Sequence, residues 1–303
     1  MPVDSVLKRI NERYKSFSKG QKRLADFIMK NPDEAVFMTA ARLGEKVGIS
    51  ESTAVRFAVS LGYKGFPQFR AALEEVVMNH MTSLQRMEAA NNDIKRDEVL
   101  HSILLSDIDK IKATIELCDT ETFRNAVKTI LEARRVYIIG IRSCAPLAEF
   151  FGLYLRQIVD EVTVVSSTSI NEIFEQMIRI NEEDVAIGIS FPRYSMRTLK
   201  AIEFANSRNA RIINITDSVH SPMNLYSSCN LLAKSDMASI VDSLVAPLSL
   251  INALLVALCM EREEEVAGTL TMMEKLWDEY QVYSRDDMEP PREESRPNGR
   301  NTE

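Results

Sequence analysis

A chain of 303 residues suits two ordinary domains, and 45% hydrophobic with 27% charged residues is the balance of folded globular proteins. No apolar run reaches the ~20 residues of a membrane span, and the N-terminus MPVDSVLKRI lacks an apolar signal core, so a cytoplasmic protein with no membrane partner is expected. The net charge of -7 is unevenly spread: through residue 80 there are 13 Lys+Arg against 9 Asp+Glu, a net of +4, which leaves -11 for the remainder and excludes a uniformly acidic protein.

From Ser5 to Val77 the apolar residues recur at helical spacing, so residues 1–79 are expected to be an α-helical domain. Its core signal is AARLGEKVGISESTAVRFAV, from Ala40 to Val59. Leu43 and Val47 give one helix an inward face, and Gly44 permits close approach of a second. Gly48 stands where a tight turn needs a positive φ, and Ile49 plugs the turn into the core. Ser50 then caps a helix whose inward residues are Ala54, Val55 and Phe57. Glu51, Ser52, Thr53 and Arg56 point outward near its N-terminal end, where a recognition helix meets base edges. Thr39, capping the helix before the turn, and Lys64 are expected to meet DNA phosphates. A plain helical hairpin would share the glycine turn, but the basic excess and the Ser-Thr-Arg face have no part in a core.

Residues 80–118 read as a helical connector broken by Asn91-Asn92-Asp93. Then short β-branched runs alternate with helix-length segments: Arg135 to Ile141, Val162 to Ser167, Asp184 to Ser190, Arg211 to Thr216 and Asn230 to Ala233. That alternation predicts a five-stranded parallel sheet covered on both faces, an α/β domain over residues 119–265. Ser239 to Met260 reads as one long apolar helix, completing the cover and meeting a second subunit. A C-terminal helix is expected over 266–283, and the polar, Pro-rich stretch 284–303 reads as a disordered tail.

Two strand-end loops are the natural ligand seats of such a sheet. In the first, VYIIGIRSCAPLAEF, a strand runs into Gly140, then Arg142, Ser143 and Cys144. In the second, a strand reaches Ser190, followed by Phe191, Pro192, Arg193, Tyr194 and Ser195. Hydroxyls and free amides at a helix N-terminus favour an anion. Four scattered cysteines and three distant histidines suggest neither a zinc site nor a disulfide framework, so no metal and no cofactor are expected.

The stretch FSKGQKRLADFIMKNPDEAVFMTAARLGEKVGISESTAVRFAVSLGYKGFPQFRAAL resembles the N-terminal domain of RpiR-type bacterial regulators, most specifically in Val-Arg-Phe followed by Leu-Gly-Tyr-Lys-Gly-Phe. Everything after the connector resembles the sugar-isomerase-type (SIS) domain of such regulators. The resemblance implies a winged or extended helix-turn-helix, a flavodoxin-like sensor and control of carbohydrate genes. It also implies double-stranded DNA with an inverted-repeat operator, a small anionic sugar derivative as effector, and a homodimer or homotetramer. Both loops depart from the family pattern. G-x-G-x-S reads G-I-R-S-C, with Arg142 at the second glycine and Cys144 at the serine; S-x-S-G-x-T reads S-F-P-R-Y-S, with Arg193 at the glycine.

Two readings follow for the loops. Either Arg142 and Arg193 clamp an anionic effector seated on Arg142, Ser143, Cys144, Ser190, Arg193, Tyr194 and Ser195, or they fill the cleft and pair with carboxylates such as Glu149 or Glu172. No catalytic residues are assigned. The alternative function, a SIS-type sugar-phosphate isomerase, has only Glu172 and His220 as candidate bases.

Overall fold

In the computed structural model, residues 6–36, 38–80, 84, 87, 96–167, 169–227 and 229–282 are described. The expected tail 284–303 and the Asn91-Asn92-Asp93 interruption lie outside them. Six helices form the N-terminal domain: α1 (Val6–Arg13), α2 (Lys19–Lys30), α3 (Pro32–Ala35), α4 (Ala40–Val47), α5 (Glu51–Ser60) and α6 (Phe66–His80). No strand occurs among the described residues of this domain, so the helix-turn-helix is the extended kind and carries no wing there. The start of α2 shows why it begins there. The Gln21 N–H donates to the Ser18 hydroxyl at 3.4 Å, and the Ser18 N–H donates to Gln21 Oε1 at 3.0 Å, a reciprocal cap for two otherwise orphaned amides. Ile10, Leu24, Ile28, Leu43, Phe57, Phe69 and Leu73 close one buried core, in which the Phe57 ring meets Phe17 and Phe69.

The second domain carries α7 (Val99–Leu117), α8 (Thr120–Leu131), β1 (Val136–Gly140), α9 (Ala145–Leu155), β2 (Val162–Val165), α10 (Ile170–Gln176), β3 (Val185–Ile189), α11 (Met196–Ser207), β4 (Arg211–Thr216) and β5 (Cys229–Leu232). A small hairpin, β6 (Met237–Ala238) and β7 (Val241–Asp242), precedes α12 (Val245–Glu261) and α13 (Glu263–Glu279). The five main strands are parallel in the order β2-β1-β3-β4-β5. This is the strand order of a flavodoxin-like doubly wound sheet, as the resemblance implies. Ile138, Val185, Ile187 and Ile213 face one apolar layer with α8, α9 and α12, while Tyr137, Ile139, Ala186 and Ile212 face another with α10 and α11. Strands buried on both sides are why their sequences read as unbroken apolar runs.

Two expectations change. The stretch Ser239–Met260 is not one helix: Ser239 turns the hairpin with φ 57, Asp242 and Ser243 stay outside, and the helix starts at Val245. Ser243 explains the break, because its hydroxyl donates to Asp107 at 2.6 Å and its carbonyl accepts from Ser235 Oγ at 2.9 Å. The expected connector also contributes to the second domain, since α7 packs along α12 and the Thr114 hydroxyl accepts from the Lys234 N–H at 2.9 Å.

Among the described residues no single helix is long and apolar enough to cross a membrane. The pair α12 and α13 meets the length and composition criteria only across a bend of 101°. The inner face of α12 lies in the core.

Candidate functional site

The helix pair α4–α5 is assembled around its turn. Gly48 takes φ 68, the left-handed region that L side chains rarely adopt, and Ile49 donates to the Gly44 carbonyl at 2.8 Å. A Cβ on Gly44 would lie 2.9 Å from the Ile49 carbonyl oxygen, so only glycine lets the two helices approach this closely. Ser50 caps α5 by accepting from the Thr53 N–H at 3.3 Å, as the spacing predicts. Ala54 and Phe57 are fully buried, and Val55 packs partly against the same core.

The outward face is as expected in place, though not in every side chain. Glu51, Ser52 and Arg56 are exposed, while Thr53 is half-buried against α2. Polar contacts tie this face together: the Ser50 hydroxyl lies 3.0 Å from that of Ser52 and 2.9 Å from that of Thr53, and Arg56 Nη2 donates to Thr53 Oγ1 at 3.5 Å. Thr39 is exposed and caps α4 through the Arg42 N–H at 3.2 Å. Lys64 is exposed beyond α5, its N–H held by Gln68 Oε1 at 2.7 Å.

Charge counting alone does not reveal that some basic residues serve the scaffold. Arg23 Nη2 donates to the Gly48 carbonyl at 2.8 Å and so braces the turn from α2. Arg13 donates to the Ser60 carbonyl at the end of α5. Lys22 lies 5.7 Å from the centre of the Tyr14 ring.

In the second domain the crevice follows from topology. The chain leaves β1 for β2 on one side and returns to β3 on the other, so the loops after β1 and β3 diverge over a shared gap. The first loop folds tightly back: a Cβ on Gly140 would lie 2.6 Å from the Cys144 carbonyl oxygen. Arg142 is exposed with φ 62 and Ser143 is exposed beside it. Cys144 is buried, and burial pushes its thiol up to about 11; its sulfur is hydrogen-bonded by the Phe191 backbone, which joins the two loops. A neutral thiol is a weak donor, so Cys144 contributes packing more than anion binding.

In the second loop Ser190 is buried and its hydroxyl accepts from the Ser195 N–H at 3.1 Å. Ser195 caps α11 by accepting from the Thr198 N–H at 3.4 Å. Tyr194 donates to Asp217 at 2.8 Å, while Arg193 is exposed. All seven expected effector residues lie on these two loops, and the Cys144 thiol and the Ser190, Tyr194 and Ser195 hydroxyls are already engaged by protein partners. Glu172, one expected partner for an arginine, instead accepts from the Ser167 hydroxyl at 2.5 Å. Among the described residues no ion pair joins Arg142 to Glu149 or Glu172. The Tyr194–Asp217 bond is the contact that sequence reasoning left out. Its only signal is the polar turn after β4, where the Ser218 hydroxyl also accepts from the His220 N–H at 3.1 Å.

Comparison with known proteins agrees with both halves. Residues 4–80 match the helix-turn-helix domain of the rpiR family, and residues 129–257 match the SIS domain. An uncharacterized HTH-type transcriptional regulator of Haemophilus influenzae is 26% identical over 282 residues, covering 87% of this chain and 93% of that protein. Among solved structures, the sugar isomerase domain of an RpiR transcription factor from Sphaerobacter thermophilus superposes with a TM-score of 0.57 at 23% identity, over 59% of this chain and 99% of that one. The Vibrio vulnificus NanR protein, complexed with ManNAc-6P, superposes with a TM-score of 0.55 at 19% identity, over 92% of this chain and all of that one. With an extended helix-turn-helix ahead of a five-stranded SIS sheet, and a matching family signature in each half, this chain belongs to the RpiR family of transcriptional regulators.

Proposed function

We propose that this regulator acts in the cytoplasm on carbohydrate genes, binding an inverted-repeat operator through α5, and that a phosphosugar or sugar-acid effector in the β1/β3 crevice modulates that binding. The observation that carries the effector half is Arg142: a long cation held at φ 62 on an exposed loop, where the family pattern has glycine. A backbone conformation that costs free energy is kept only where its surroundings enforce it, and such residues cluster at ligand sites. Arg142 and Arg193 on facing loops supply two guanidinium forks, suited to an anion with more charge than a simple hexose phosphate. The NanR complex holds a phosphorylated sugar, ManNAc-6P.

The two functions are connected through the chain itself. Asp242 of the hairpin raises the Cys144 thiol from one side. Just before β6, Lys234 and Asp236 act on Glu74 of α6, whose carboxyl is raised first by burial and then by the Asp236 charge. The hairpin and the residues leading into it thus place charges near both Cys144 and α6. No catalytic group is assigned, and the relatives compared are regulators by name.

Calorimetry of a panel of phosphosugars and phosphorylated sugar acids against wild type, Arg142→Ala and Arg193→Ala tests the clamp. A bound effector whose affinity falls at least tenfold in each variant supports it, and unchanged affinity in both ends it. Turnover of any of these sugars would instead favour the isomerase alternative.

A further inference from the structure

Among the described residues one cation is buried, and it lies on α7. Lys110 is 7% exposed; its ammonium donates to the Ser106 hydroxyl at 2.6 Å and pairs with Asp107 at 3.7 Å. The Asp107 side chain, 16% exposed, also accepts from the Ser243 hydroxyl at 2.6 Å. Ser243 closes the stem of the β6–β7 hairpin. Its N–H donates to the Asp236 carbonyl at 3.1 Å, and its own carbonyl accepts from the Ser235 hydroxyl. One turn further along α7, the Thr114 hydroxyl donates to the Lys110 carbonyl at 2.8 Å and accepts from the Lys234 N–H. Asp107, Lys110 and Thr114 follow at steps of three and four, on one face of the helix. Lys110, Thr114, Ser235 and Ser243 are four of the ten buried polar or charged residues among those described, so interior polar groups are concentrated between α7 and the hairpin stem.

Stability does not account for this contact. Withdrawing an ammonium and a carboxylate from water offsets much of their attraction, and a well-packed apolar pair is often as stable or more so. What the pair supplies is position. Apolar side chains slide past one another by a fraction of an ångström at little cost. A hydrogen bond to a buried charge is lost when its donor moves away, and the charge is left uncompensated. The hairpin stem and α7 are therefore held in one register. Each side of the contact leads to one of the two functions. Asp242, the neighbour of Ser243, lies near enough to the first crevice loop for its charge to raise the Cys144 thiol. The chain coming from the reader enters the second domain through α7.

We propose that the Lys110–Asp107–Ser243 contact carries movement between the crevice and the reader, with Asp107 and Lys110 as positioning residues that make α7 follow the hairpin. The proposal rests on the effector reading above and names the route by which it acts. Coupling between two sites is reciprocal, so DNA binding alone reports it at the crevice.

Hydrogen exchange of the full-length protein, with and without a duplex that it selects from a randomised pool, tests the route. The variants are Ser243→Ala, the paired replacement Asp107→Leu with Lys110→Met, and Ser249→Ala. Ser249 is the control, because it is exposed on α12 and its hydroxyl donates to the Val245 carbonyl of the same helix. The expected result is an about fivefold change of exchange at the amides of residues 140–145 when wild type and Ser249→Ala bind the duplex. In the other two proteins, which still bind it, the change falls below about twofold. Should the paired replacement not fold, Ser243→Ala decides alone. A full response in Ser243→Ala overturns the route and leaves the effector reading standing. Loss of the response in Ser249→Ala as well also overturns it, since any disturbance of α12 would then suffice. A wild type that binds the duplex with no response in the crevice overturns the effector reading together with the route.

Discussion

Arg142 holds a backbone conformation that a side chain with a Cβ adopts at a cost of order 1–3 kcal/mol. Arg142→Gly removes that cost and the guanidinium together. The expected outcome is an unchanged or higher melting temperature combined with an effector affinity at least tenfold weaker, measured by calorimetry on the same preparation. If stability rises and affinity holds, the arginine is not a ligand contact. At Cys144 the sign of a pH effect is fixed by burial. The thiol ionises near 9.0 when exposed and only near 11 in the fold, so the unfolded chain sheds its proton first as pH rises. Its contribution is complete below pH 9 and is lost between about 9 and 11, and the denaturation midpoint should fall less across that window in Cys144→Ala than in wild type.

On the reading face, Arg56 is exposed and bonded only weakly to Thr53 at 3.5 Å. Arg56→Ala should leave the fold intact and weaken operator binding by ~1–3 kcal/mol with relaxed preference at one base pair. An equal loss on every duplex, seen by fluorescence anisotropy at fixed salt, would make it a phosphate contact instead.

Among the elements, α4 and α5 are the most legible in the sequence, because each local signal at Thr39, Gly44, Gly48 and Ser50 has one steric or hydrogen-bonding job. Gly44→Ala tests that reading. The added methyl meets the Ile49 carbonyl at 2.9 Å, so the turn must open, and both melting temperature and operator binding should fall. A variant with wild-type values of both would show that the close approach is dispensable. The five strands are equally readable, with ends displaced by a residue or two, since burial on both faces leaves a plain apolar run. The hairpin β6–β7 escapes such reading because its cause is remote in sequence: Asp107, far along α7, receives the Ser243 hydroxyl. The same holds for α7, whose membership in the sensor shows only when Lys234 meets Thr114. In the crevice the residues were legible from their place after β1 and β3. Their engagement was not, because bonds such as Tyr194–Asp217 span 23 positions.

At the scale of the whole molecule, the charge asymmetry acquires a physical sense: a basic reader sits ahead of an acidic sensor that bears the crevice. In the proposed dimer, two readers held by paired second domains would fit half-sites about one DNA turn apart, ~34–36 Å, or a multiple of it. Effector and operator then couple reciprocally, by a ratio of affinities that is the same from either side. The most direct test is anisotropy of a labelled duplex, selected by the protein from a randomised pool, with and without the phosphosugar that most raises its melting temperature. The account predicts an inverted repeat, bound less well by Arg56→Ala, whose affinity shifts at least fivefold with the sugar in wild type and not in Arg142→Ala. A duplex with no sequence preference, or one whose affinity ignores every sugar that binds the protein, would contradict it.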